Sequence, residues 1–256
     1  MTRKQRERYA PWLLLIAVLL LWEAVCRVFG ISEFIFPSPS RIASQLFEFR
    51  GVVAAHAWRT YWVTMVGFGL SIVVGTLLGF LVGSSRMAYA AMYPLMTGFN
   101  AVPKAAFVPI LVVWFGIGVG PAVLTAFLIS FFPITVNIAT GLATIEPELE
   151  DVLRVLGAKR WDVLVKIGLP RSMPYFYASL KVAITLAFVG TTVSEMTAAN
   201  EGIGYLLISA GSSMQMGLAF GGLVVIGAMA MLMYELFAVV ERRTTGWAHR
   251  SAGAEG

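Results

Sequence analysis

The sequence predicts an all-α integral membrane protein of about six transmembrane helices, and three observations carry the prediction. Of 256 residues, 58% are hydrophobic and 13% charged, with a mean hydropathy of +0.79, whereas soluble domains are about a quarter charged. The apolar residues fall in runs of roughly 20, the length that crosses a bilayer core of about 30 Å. Lys and Arg gather between those runs. The formal charge of +5 suggests nucleic acid only as a sum; its distribution along loops does not, and no nucleic-acid partner is expected. The single Cys26 excludes an intrachain disulfide.

Taken in order, the predicted spans are 12–29, 61–82, 87–115, 121–143, 175–194 and 218–239. The N-terminus has the basic head and apolar body of a signal peptide, but the apolar body runs on to Phe29 and no small-residue cleavage site follows. It reads as an uncleaved first span, with Glu23 and Arg27 four apart as a helical pair. After it, prolines interrupt the chain and Ser40 is placed to cap a short helix. Ile42, Leu46 and Phe49 form one side of that helix, which either touches a partner or lies on lipid headgroups. The second span carries Gly67, Ser71, Gly75, Gly79 and Gly83, one stripe of small residues for close packing, within the chain or at a subunit interface.

Pro94, Pro103 and Pro109 break the third segment. Freed backbone groups at membrane depth are tolerated only inside protein or along a wet cavity, so this is a candidate pathway segment. Lys104 beside the break marks either a functional site or a snorkelling end. Asn100 joins it as a polar group at a broken helix, and Ser194 and Glu195 do so at the end of the fifth span. These four are the candidate path residues. The glycine-rich segment after Glu195 predicts a re-entrant or gate-like turn or a plain loop before the sixth span.

Orientation follows from the basic residues, which favour cytoplasmic flanks. With the N-terminus inside, thirteen of the nineteen Lys and Arg fall on the inner side and four outside, leaving Lys104 and Lys181 within membrane segments. Both termini are therefore expected in the cytoplasm. The whole chain, 1–256, reads as one domain: a cytoplasmic tail at 1–11, core spans over 58–240, a cytoplasmic loop at 145–170 and a disordered tail at 247–256.

That loop, IEPELEDVLRVLGAKRWDVLVKIGLP, holds nine of the thirty-three charged residues. Pro147 suits a first helical turn, and Glu148, Glu150 and Asp151 complement the dipole there. Leu149, Val152, Leu153 and Leu156 follow the spacing of one apolar face. Gly157 permits a left-handed turn that ends the helix, and a second helix runs from Lys159 to a stop at Pro170. The pattern fits an interfacial hairpin and a docking element for a soluble partner alike.

No catalytic set is present. His56 and His249 are far apart, and no zinc-protease, nucleophile-elbow, paired-cysteine or phosphate-loop motif occurs. No catalytic residue, metal site or cofactor is expected in this chain. Gly116-Ile117-Gly118 and Gly202-Ile203-Gly204 lack the strand and helix of a nucleotide loop and read as turns. Work done on a gradient must draw on a partner or an ion, and Glu23, Lys104, Lys181, Glu195 and Glu235 are the groups that an ion-driven carrier or channel would use.

Gly157, nine residues, Ile167, one residue, then Leu169-Pro170 resembles the cytoplasmic EAA loop of ABC importer permeases. PSPSRI, VPKAAFVPILVVWFGIG, FFPITVN, and SEM with GIGYLL eight residues after its start extend the resemblance to the nitrate, sulfonate, taurine and pyrimidine-precursor group. One departure is that Asp151-Val152-Leu153 stands where the family has Glu-Ala-Ala, keeping the acid but replacing small residues with bulky ones. The resemblance implies a type I importer permease fold in a prokaryotic inner membrane. It implies a dimer of permeases, two ATPase subunits carrying ATP and Mg, and an extracytoplasmic solute-binding protein. It implies ATPase docking by Leu149, Asp151, Val152, Leu153, Leu156, Gly157, Ala158, Ile167, Leu169 and Pro170. The cargo it implies is a small solute such as a sulfonate, nitrate, another organic anion or a thiamine precursor.

Overall fold

A computed structural model of the protein describes residues 3–143, 152–153, 155–159, 162 and 164–245. Among these all the regular structure is helical. We label the helices α1 (Arg3–Val28), α2 (Pro39–Glu48), α3 (Arg50–Gly83), α4 (Arg86–Ala101), α5 (Val108–Phe115), α6 (Val119–Ala143), α7 (Leu169–Ala198), α8 (Ile203–Ser212) and α9 (Met216–Thr244). Five are long and apolar enough to cross a membrane, and α4 with the 104–115 segment, bent by 71°, makes a sixth when the pair is counted as one span. Five to six spans are thus present against the six expected, the third segment broken where its prolines fall. With the bent pair counted as one span, α2 and α8 lie on the same side of the membrane.

The centre is a packed trio of α3, α6 and α7. Phe68, Ala126, Ile134, Ile138, Ile184 and Phe188 form its core. The small-residue stripe of α3 explains the close approach. A Cβ on Gly67 would lie 2.7 Å from that of Ala126, and one on Gly79 would lie 2.8 Å from that of Ile138. Intrachain packing is therefore the stripe's role, with apolar helices gaining contact through small residues because lipid supplies no hydrophobic drive between them. Ser71 adds a hydroxyl contact to Ser130 at 2.7 Å across the same seam.

Three local expectations need correction. Ser40 does not cap α2; Ser38 precedes it with Pro39 in the first turn, while Ser40 donates from its backbone N and Oγ to Glu23 at 3.0 and 2.7 Å. The Glu23–Arg27 pair forms at 2.6 Å, so one carboxylate holds α1 to α2. The apolar side of α2 packs within the chain: Ile42 is buried, Leu46 and Phe49 lie against the cluster of α8 and α9, and a Cβ on Gly221 of α9 would lie 2.8 Å from Leu46. Pro170 does not stop a helix. The turn Leu164–Gly168 widens to π geometry and runs directly into α7, because a proline without an N–H cannot close the regular ladder behind it.

At 34 residues α3 is about 50 Å long at 1.5 Å per residue, well beyond a bilayer core. Its first turns, ahead of the predicted start at 61, reach α8. The glycine-rich segment after α7 contains a short helix, α8, held between α3, α7 and α9.

Candidate functional site

Three places gather the residues singled out by sequence. The first is the bend in the third span. Pro103 excludes Val102 from helical geometry, and Val102 and Pro103 are extended, at φ −69°, ψ 128° and φ −68°, ψ 96°. Residues Asn100 to Pro103 are exposed on the chain. Lys104 opens a tight turn, Lys104–Phe107, and is 9% exposed. Its Nζ donates to the backbone O and Oδ1 of Asn100 at 3.0 and 2.8 Å. The ring centres of Phe99 and Phe132 lie 5.8 and 5.7 Å from the same ammonium.

The second place is a buried latch on the side of α8. Glu195, 3% exposed, accepts from Thr60 Oγ1 at 3.0 and 2.9 Å and from the Gly204 N–H at 3.0 Å. Thr60 Oγ1 in turn accepts from the Ile203 N–H at 2.8 Å. Thr64 donates to its own helix at Thr60 O and stands 2.9 Å from Thr191 Oγ1. The Gly202 N–H donates to His56 Nδ1 at 3.0 Å, and Arg59 pairs with Glu201 at 3.2 Å on the surface. A cavity of about 220 Å³ adjoins the latch, lined by Arg59, Gly118, Glu195, Asn200 and Glu201 among others.

Both glycines of the Gly-Ile-Gly turn are explained here. A Cβ on Gly202 would run into the Glu195 carboxylate, and one on Gly204 would meet Thr192 O and the Glu195 Cβ. Glu195 is thereby engaged in tying α8 to α3 and α7. Ser194 beside it is buried, its Oγ without a hydrogen-bond partner among the described residues. No hydrogen bond or ion pair among the described residues joins the Asn100–Lys104 pair to the Ser194–Glu195 pair. Sequence reasoning missed Thr60, Thr64, Thr191, His56 and Arg59; the signal available was Thr60 and Thr64 one turn apart at the start of an apolar run.

The third place is the elbow between α6 and α7. Gly157 has φ +83°, as its predicted turn requires. Ala158 N–H donates to Leu153 O at 2.9 Å and Leu156 N–H to Val152 O at 3.1 Å, the six-to-one closure of a glycine-ended helix. The Lys159 N–H donates to Asp162 Oδ2 at 3.0 Å, the acidic half of a capping box for the next helix. Val152, Val155 and Leu156 are 57%, 87% and 76% exposed. Gly157, Leu169 and Pro170 are exposed too, while Leu153 and Ala158 are partly covered. Leu149, Asp151, the side chain of Ile167 and the 247–256 tail lie outside the described residues.

Comparison with known proteins agrees with this architecture. The model of the family described as binding-protein-dependent transport system inner membrane component matches residues 71–246. A probable ABC transporter permease of Haemophilus influenzae is 30% identical over 224 residues, 88% of this chain and 91% of the relative. The formylaminopyrimidine transport permease ThiX of Halalkalibacterium halodurans is 31% identical over 204 residues, 79% and 81% of the two chains. Among solved structures, a chain of the inward-facing MetNI methionine ABC transporter superposes with a TM-score of 0.67 at 18% identity, covering 77% of this chain and 98% of that one. The fold is thus that of a type I importer permease. With the family's model covering more than half of the chain, from within α3 through α6, the elbow, α7 and α8 to the end of α9, this chain belongs to the binding-protein-dependent transport system inner membrane components, the multi-pass permease subunits of ABC importers.

Proposed function

We propose that the chain moves a small solute into the cytoplasm by alternating access, with the 149–170 segment docking an ATPase subunit that supplies ATP hydrolysis and its Mg. The observation that carries this reading is the elbow. Val152, Val155 and Leu156 stand exposed beside a glycine-closed turn, on a connection that sequence places in water. Apolar side chains held out on a defined elbow favour a protein partner, and closure of paired ATPases pulling on it would re-orient the spans. The large Val152 and Leu153 in place of two alanines favour an ATPase with a matching roomier groove.

The bend favours a second copy of this chain. Irregular backbone in lipid must be covered by protein or face water, and residues 100–103 are exposed in the single chain. A homodimer closing over the two bends would supply both cover and path. A solute-binding protein on the α8 side would deliver the cargo, in the range of a sulfonate, nitrate, other organic anion or thiamine precursor. The charges an ion-driven carrier would use are largely engaged within the chain: Glu23 with Arg27 and Ser40, Lys181 with Glu241 and Glu195 in the latch.

The test is reconstitution with the ATPase and binding protein. Uptake should require ATP and survive collapse of proton and sodium gradients. Leu156→Asp should abolish co-purification of the ATPase while leaving the permease inserted. Uptake without ATP, or an intact complex in that variant, would remove the proposal.

A further inference from the structure

A cation within a membrane span carries a large solvation cost, so it is normally paired or functional. Lys181 meets Glu241 at 2.6 Å, and Arg27 meets Glu23 at 2.6 Å. Lys104 differs from both. It is nearly as buried as the core, and among the described residues no carboxylate lies within ion-pair distance of it. Its neighbours are two oxygens of Asn100 and the rings of Phe99 and Phe132. Neutral acceptors and π faces hold an ammonium in place and leave its charge uncompensated.

Two features beside it fit a ligand. The rings that flank the ammonium also wall an apolar chamber of about 220 Å³ between α3, α4 and α6, together with Met92 and Met96. Lys104 follows directly on the exposed turn 100–103 and holds Asn100 within it. An anionic group at Lys104 would complete the missing pair in a low-dielectric setting, where such attraction is strongest. An apolar body attached to it would lie against the rings.

We propose that Lys104 is the anion-recognition residue of a binding site at the bend, taking a small organic carboxylate or sulfonate with an apolar body. The inference rests on the reading of the bent third span as a wall of the solute path, and it names the charge class of the cargo.

The experiment uses the absence of other thiols. Cys26 is the chain's single cysteine, so Cys26→Ser gives a thiol-free background for Ala101→Cys on the exposed turn. The full chain in opened membrane fragments is reacted with the ethylsulfonate and the ethyltrimethylammonium forms of methanethiosulfonate, and labelling is read by mass spectrometry. Adding Lys104→Met should lower the anionic-to-cationic rate ratio by about tenfold, the order expected for one nearby unit charge. Lys104→Arg should keep the ratio within about twofold, since it keeps the charge. A ratio unchanged by Lys104→Met, or equally lowered by Lys104→Arg, overturns the anion site and leaves the path reading standing. Failure of both reagents to reach the thiol overturns the path reading and the site with it.

Discussion

At the latch, Gly204 sits where a Cβ would lie 2.6 Å from that of Glu195, while at the elbow nothing lies within 4 Å of the same position on Gly157. The latch glycine is there for space. The elbow glycine is there for conformation, since its φ of +83° is costly for any residue with a side chain. Around the first, Glu195, Thr60 and the N–H groups at the start of α8 are buried and matched to one another. Around the second, apolar groups stand in the open. The latch is satisfied within the chain, while the elbow holds apolar side chains exposed. Substitutions that cost stability should therefore cluster at the latch, and those that cost function without stability at the elbow.

The sharpest break of this contrast is Gly204→Val. The added side chain meets the backbone oxygen of Thr192 and the Cβ of Glu195, neither of which can swing aside, so overpacking should cost about 3 kcal/mol. The expected outcome is loss of monodisperse protein in detergent and a large fall in its unfolding temperature. A variant as stable as the parent would show that α8 can lift away from α7 without penalty, and the latch would not be one.

Glu195→Ala comes next. It leaves Thr60 Oγ1 and the Gly204 N–H buried without their acceptor, at about 2 kcal/mol for orphaned donors. Glu195→Gln retains an acceptor oxygen and should lose less than half of that. The order of the two variants in a thermal melt is the check, because simple removal of a buried charge would make Ala the milder change.

The same contrast explains what the sequence could and could not convey. Spans, the broken third segment, the stripe on α3 and the elbow at Gly157 are local: each follows from run length, proline, four-residue spacing or one glycine. The latch is not local. Thr60 and Glu195 are 135 positions apart, and nothing in either neighbourhood says that they meet. Ser40 misled for the same reason, since its hydroxyl answers to Glu23 seventeen residues away rather than to its own helix. Pro170 misled differently: breaking a ladder and ending a helix look alike in sequence, and a widened π turn separates them only in three dimensions. Lys104 stands out in sequence by its rarity in a span, but that no acid of the described residues pairs with it is visible only in three dimensions.

Gly157→Val should have the smallest effect on stability of these changes. Nothing packs on the position, so the strain of about 1–2 kcal/mol for a left-handed β-branched residue is relieved by local reshaping of the elbow, while the α3, α6 and α7 trio is untouched. What that reshaping removes is the Ala158-to-Leu153 closure and with it the fixed angle at which Val152 and Leu156 are presented. The melt of the permease alone should move little, while transport-coupled ATP hydrolysis in the reconstituted complex should be lost. A variant that melts like the parent and still couples would mean that the angle carries no information, and the elbow would then be an interfacial hairpin whose exposed side chains answer to lipid.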